Sequence, residues 1–118
     1  MVYDPKFRFW RVPGGRVEAG EKEEETVRRE IPEELGIEIT VERYLGDGQD
    51  DVPIYGVPGK DKTSRNIRYY ECRISSGTPT KKEKGEVAEI RWMSLEEIKK
   101  IADLEPAMRD YFSKSNIK

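Results

Sequence analysis

Apolar residues recur along this chain with two different periods. Over 21–35, Val27, Ile31 and Leu35 fall four apart, the spacing that lines up one face of a helix. Gly36 follows where a helix C-cap glycine belongs. Residues 37–45 (IEITVERYL) and 66–74 (NIRYYECRI) alternate and predict strands, as do 87–93. Residues 7–12 (FRFWRV) alternate aromatic and basic side chains, which predicts a strand with one buried face before the turn Pro13-Gly14-Gly15. Between the middle strands, 46–65 carries Gly46, Gly48, Gly56, Gly59, Pro53 and Pro58. That composition predicts a long loop with one short strand at 52–55, and such loops usually bind something. A charged connection over 75–85 leads to the last strand. Ser94-Leu-Glu-Glu97 has the form of a capping box opening a short helix to Ile101. Pro106 begins a final helix whose inward face holds Met108, Tyr111 and Phe112, with Leu104 just before it. Strand, helix, strands, helices is the order of a layered α/β or α+β domain.

Composition narrows the class. A chain of 118 residues has the length of one domain, 1–118. Its 22 Lys and Arg against 24 Asp and Glu leave a net charge of −2, without the basic excess that marks a nucleic-acid binder. No apolar run approaches the roughly 18 residues of a membrane span. The first residues have no apolar core of the signal-peptide kind. The lone cysteine, Cys72, cannot close an internal disulfide, which fits the reducing cytoplasm. The chain has no histidine, so His metal sites, Ser-His-Asp triads and Cys-His pairs are excluded within it.

The predicted first helix concentrates acid. Glu30, Glu33 and Glu34 stand at i, i+3 and i+4 and project from one face. Three crowded carboxylates repel unless a cation sits among them, and oxygen donors of this kind suit Mg²⁺ or Mn²⁺. For a bare glutamate cluster the plainer reading is a solvated surface.

The spacing is more specific than the cluster. Residues 15–37, GRVEAGEKEEETVRREIPEELGI, resemble the signature of the Nudix hydrolase family, G-x5-E-x7-R-E-U-x-E-E-x-G-U with U a bulky aliphatic. Gly15, Glu21, Arg29, Glu30, Ile31, Glu33, Glu34, Gly36 and Ile37 fill every constrained position. Trp10 to Gly15 is similar to the family's lead-in strand and turn, and 86–98 to its late strand and helix. The resemblance implies an α/β/α sandwich with a mixed β-sheet. It implies hydrolysis of a pyrophosphate bond in a nucleoside diphosphate linked to another moiety, such as ADP-ribose, a nucleotide sugar, a dinucleoside polyphosphate or an NTP. It implies Mg²⁺, or Mn²⁺, held by Glu30, Glu33, Glu34 and the Gly14 carbonyl. Arg29 would pair with Glu21 to fix the loop against the helix, while Glu33 and Glu34 serve catalysis. Glu86 is the first candidate for the general base and Glu83 the second. Arg11, Arg16, Tyr55 and Tyr70 are the candidates for holding phosphates and base, each with a plain alternative as a surface or packing residue.

Two departures stand out. Pro32 lies inside the helix, where it has no N–H for the Arg28 carbonyl, an effect of about 3 kcal/mol; it predicts a kink or opened turn between Glu30 and Glu33. Against the family's pattern most of a first N-terminal strand is expected to be missing, with Met1-Val2-Tyr3-Asp4 resembling its end. Either the start is assigned too late, or an open sheet edge is left that invites a homodimer. Pro53 and Tyr55 lie sixteen and eighteen residues past Ile37, resembling ADP-ribose-type and diadenosine-polyphosphate-type members respectively, so together they choose neither. A Nudix-fold binding or regulatory module with weakened catalysis is the alternative.

Overall fold

The computed structural model describes residues 1–53, 62–80 and 87–115. Its elements are β1 (Val2–Asp4), β2 (Phe9–Arg11), α1 (Glu23–Leu35), β3 (Glu38–Pro53), β4 (Lys62–Ser76), β5 (Glu89–Ile90), α2 (Leu95–Lys100) and α3 (Pro106–Ser115). β1 lies between β2 and β5, antiparallel to both, and β3 pairs with β4 in a long antiparallel hairpin. One parallel bridge, Trp10 to Leu104, ties β2 to the chain entering α3. The result is a mixed α+β sandwich with two apolar centres. Val2, Ile31, Leu35, Ile37 and Val87 join α1 to the three-stranded sheet. Tyr69, Leu104, Met108 and Tyr111 join α3 to the hairpin. Among the described residues no helix is long and apolar enough to cross a membrane.

The strand expected over 7–12 is shorter than its alternation suggested. Phe7 and Arg8 belong to a tight turn, with Arg8 at φ 62°, and all three β2 residues are buried. Asp4 shapes that turn: its Oδ1 accepts from the Lys6 and Phe7 amides at 2.9 and 3.3 Å.

The loop expected over 46–65 is also corrected. Residues 46–53 continue β3 and 62–65 begin β4. Their glycines are not turn residues; they make room for α3. A Cβ on Gly48 would sit 1.7 Å from the Ala107 carbonyl oxygen, and one on Gly46 2.9 Å from the Tyr111 ring. The helix backbone therefore crosses the hairpin at contact distance, and only glycine fits beneath it. The strand expected over 87–93 shrinks to β5, although the Ala88 and Arg91 amides still bond to Tyr3 and Met1. The Ser94–Glu97 capping box is present in both directions, at 3.1 and 3.2 Å.

Helix α1 ends as its sequence requires. Gly36 takes φ 70° and its N–H returns to the Pro32 carbonyl at 2.9 Å. The helix runs unbroken through Pro32, so the opened turn expected there is absent.

Candidate active site

Helix α1 begins two residues later than its periodicity suggested, because Glu21 is occupied just ahead of it. Glu21 accepts from the Glu18 amide at 3.0 Å, the Thr26 hydroxyl at 2.7 Å and Arg29 Nε at 2.9 Å. The Arg29 bond leads these in pulling the Glu21 carboxyl down to about 2. Thr26, buried and bonded to Glu21, escaped the sequence reading because a lone threonine on a Glu-rich helix carries no signal of its own.

Arg29 is the hub of the loop. Besides Glu21 it reaches Glu30 at 2.7 Å, Glu33 at 3.6 Å and the Arg16 carbonyl at 3.2 Å. Gly15 closes the arrangement. A Cβ there would lie 2.3 Å from the Glu30 carboxyl carbon, so the loop presses directly on that carboxylate.

Glu34 is held differently. Its side chain is 4% exposed, with Oε2 3.1 Å from Arg11 Nη2 and Oε1 accepting the Gly14 N–H at 2.7 Å. Arg11 is in turn gripped by Asp4 at 2.9 Å and donates to the Val12 carbonyl at 3.0 Å. Burial raises the Glu34 carboxyl above its ordinary range, with Arg11 and the Gly14 amide opposing it. Burial alone would lower Arg11, but Glu34 and Asp4 outweigh it and the guanidinium is raised. Arg11 is thus turned inward, as β2 requires, instead of standing free for phosphate. Arg16 is exposed.

The structure brings Gly14, Gly15, Arg29, Glu30, Glu33 and Glu34 together. Among the described residues no three Asp, Glu or Cys side chains form a ready-made metal cage. The donor set nonetheless fits a hard divalent cation. Asp4, Glu18, Glu21, Glu30, Glu33 and Glu34 face only Arg11 and Arg29 in these contacts. Glu33 and Glu34 also lie in the last turn of α1, which has no basic residue, against the negative end of the helix dipole. Both observations leave uncompensated negative charge.

Alongside runs an open cleft of about 2230 Å³ whose walls include Gly14, Gly15, Arg16, Glu23, Tyr44, Arg68 and Tyr70. The Tyr70 hydroxyl donates to Glu23 at 2.8 Å and its ring lies 5.2 Å from that of Tyr44. Burial first, and then the Glu23 bond, push Tyr70 up to about 12, so its hydroxyl stays protonated at neutral pH. Tyr55, Glu83 and Glu86 lie outside the described residues.

A second buried network was not expected. Arg65 pairs with Asp50 at 2.6 Å and Glu105 at 3.2 Å, and Glu105 accepts the Tyr69 hydroxyl at 2.5 Å. Burial raises both Glu105 and Tyr69.

Comparison with known proteins agrees with this geometry. The model of the NUDIX domain family matches residues 2–114. A Mycobacterium tuberculosis protein named "Putative 8-oxo-dGTP diphosphatase 2" is 35% identical over 71 residues, 59% of this chain and 45% of its own length. Another from that organism, "Putative mutator protein MutT4", is 30% identical over 90 residues, 76% of this chain and 34% of its own. The "CTP pyrophosphohydrolase" of Escherichia coli is 44% identical over 44 residues, 37% of this chain and 33% of its own. The chain spans less than half the length of these curated relatives. With the family model matched nearly end to end and its signature residues gathered around one helix, this chain belongs to the NUDIX domain family.

Proposed function

We propose that this chain is a divalent-metal-dependent pyrophosphohydrolase acting on a nucleoside diphosphate linked to another moiety. The observation that carries the reading is the packing of Gly15 onto Glu30, with Arg29 bridging Glu21 and Glu30. That arrangement confines the Glu30 carboxylate between the loop backbone and Arg29, which a merely solvated helix face does not require. Glu30, Glu33 and Glu34 would hold Mg²⁺ or Mn²⁺, with the Gly14 carbonyl. Such an ion neutralises phosphate charge and lowers the pKa of bound water.

The chain's own groups do the rest. Arg29 orients Glu30, and the Gly14 amide orients Glu34, which without metal also pairs with Arg11. Arg16, exposed beside the cleft, supplies a cation for phosphate oxygens. Tyr44 and Tyr70 offer ring faces to a base. Glu33, 61% exposed on its side chain, is the most accessible acid for orienting water; Glu86 and Glu83 remain candidates for the base. Nucleoside triphosphates lead the substrate classes, because the similar proteins carry names built on 8-oxo-dGTP and CTP. A cytoplasmic setting and a homodimer that covers an open sheet edge complete the proposal.

A second reading has one specific observation behind it. Both Glu34 oxygens are already engaged by Gly14 and Arg11, as in a binding module with weak catalysis. One assay separates the two readings. NTPs including 8-oxo-dGTP and CTP, ADP-ribose, nucleotide sugars and dinucleoside polyphosphates are incubated with Mg²⁺ or Mn²⁺, and with chelator. Metal-dependent turnover that falls at least about a hundredfold in Glu30→Gln and Glu34→Gln supports the enzyme. Ligand binding without turnover favours the module, and turnover indifferent to both substitutions overturns the proposed site.

A further inference from the structure

The Arg11 arrangement has a feature that positioning alone does not call for. Its guanidinium spends Nε on Asp4, Nη1 on the Val12 carbonyl and Nη2 on Glu34. Asp4, Arg11 and Glu34 side chains are 9%, 11% and 4% exposed, so each charge depends on the others. Each Glu34 oxygen keeps a lone pair. A divalent cation bound to Oε2 would nonetheless meet the positive charge of Arg11, whose Nη2 is 3.1 Å from that oxygen, so loading favours release of one donor. The Gly14 amide is fixed by backbone at 2.7 Å; the Arg11 bond, at 3.1 Å, is the one a side chain can release. When it does, Arg11 keeps Asp4 and Val12. No buried cation is stranded, and it is the stranding of one partner that makes breaking a buried pair costly.

We propose that Arg11, gripped by Asp4, is a built-in counter-ion that holds Glu34 in the metal-free protein and is exchanged for the divalent cation on loading. This rests on the metal-dependent reading above and deepens it. Arg11 is a positioning residue: it acts on Glu34, and Asp4 sets how readily it lets go. Two opposite effects follow. Removing Arg11 takes away a competing positive charge, whose repulsion of a divalent ion is worth about a factor of ten in affinity across a solvated gap. Removing the charge of Asp4 leaves Glu34 as the only ionic partner of Arg11 among these three, so release becomes harder.

The test is Mn²⁺ binding, read from the electron paramagnetic resonance signal of free ion, in wild type, Arg11→Met, Asp4→Asn and Glu34→Gln. Asn keeps an oxygen for the Lys6 and Phe7 amides. The expected result is an affinity about tenfold higher in Arg11→Met and several-fold lower in Asp4→Asn. Arg11→Met should also be less stable without metal and gain more melting temperature from saturating Mn²⁺ than wild type does, since tighter binding stabilises more. Should Arg11→Met not fold, Arg11→Lys, which lacks the fork that spans both acids, should show a smaller rise. Affinity lowered in both Arg11 and Asp4 variants, or unchanged in the Arg11 variant that folds, overturns the proposal while leaving metal dependence standing. Mn²⁺ binding that is absent from wild type or untouched by Glu34→Gln removes the metal-dependent reading of Glu34, and the exchange with it.

Discussion

Gly15→Ala separates the geometry of the site from its stability. The added methyl would lie 2.3 Å from the Glu30 carboxyl carbon and 2.6 Å from each oxygen. Ordinary contact begins at about 3.5 Å, so the carboxylate must retreat by about 1 Å. It can, because the obstacle is the tip of a flexible side chain. The retreat sacrifices the 2.7 Å pair with Arg29. Glu30 and Arg29 side chains are 15% and 28% exposed, so that pair is worth at most about 1 kcal/mol. Replacing glycine stiffens the unfolded chain and returns about 0.4–1 kcal/mol. The two nearly cancel, and urea midpoints of variant and wild type should agree to within about 1 kcal/mol. Catalysis has no such cancellation: misplacing a group by 1 Å costs about a hundredfold. The assay pairs urea unfolding with kcat on the best nucleotide from the panel. Turnover within threefold of wild type would mean that the Glu30 carboxylate is not held for chemistry. A stability loss beyond about 2 kcal/mol would mean that the tip does not yield and the steric account is wrong.

Gly48→Ala should behave in the opposite way, since its Cβ meets the Ala107 backbone at 1.7 Å and a helix must move; a loss of about 3 kcal/mol in urea unfolding is expected. Gly20→Ala, which meets open space at φ +80°, is the control and should cost about 1 kcal/mol. Glu21 is depressed from 4.5 to about 2, so its contribution is fully present above pH 4.5 and is lost as pH falls toward 2. The stability gap between wild type and Glu21→Gln should therefore be widest at pH 6 and close by pH 2; a gap constant with pH would remove Glu21 from the acid limb. Pro32→Ala restores a donor to the Arg28 carbonyl in an unbroken helix and should raise stability by about 1–3 kcal/mol, an expectation that an unchanged melting temperature would refute.

What could be read from the sequence was what repeats locally. Helix α1 announced itself through Val27, Ile31 and Leu35, its end through Gly36, and the Glu21–Arg29 pair through signature spacing that the structure reproduces at 2.9 Å. The glycines of β3 misled, because Gly46 and Gly48 answer to a helix sixty residues away in sequence and not to their neighbours. Pro32 misled in the other direction, since tertiary packing of Ile31 and Leu35 keeps the helix intact around a residue that disfavours it. Arg11 read as a candidate for substrate phosphates, or more plainly as surface charge on an alternating strand. Its burial depends on Asp4 and Glu34, 7 and 23 residues away, and no periodicity encodes such a meeting.

The two buried arginines sharpen one another. Arg65, like Arg11, comes from a hairpin and pairs with an acid of the partner strand, Asp50, its register partner across the ladder. Each then reaches one further carboxylate, Glu105 before α3 or Glu34 within α1. The surroundings of those carboxylates differ. Glu105 shares its second oxygen with the Tyr69 hydroxyl at 2.5 Å and is followed by the first turn of α3, which has no acidic residue. Glu34 closes the last turn of α1, with Glu30 and Glu33 on the same face and no basic residue in that turn. Each cluster sets two carboxylates against one arginine, but a helix C-terminus repels anions, so the Arg11 cluster sits in the more negative surroundings. The Arg65 cluster can serve as a permanent tie between hairpin and α3. The Arg11 cluster adds to the same one-arginine balance the end of α1 and its neighbours Glu30 and Glu33, and that is the charge the proposed cation would answer.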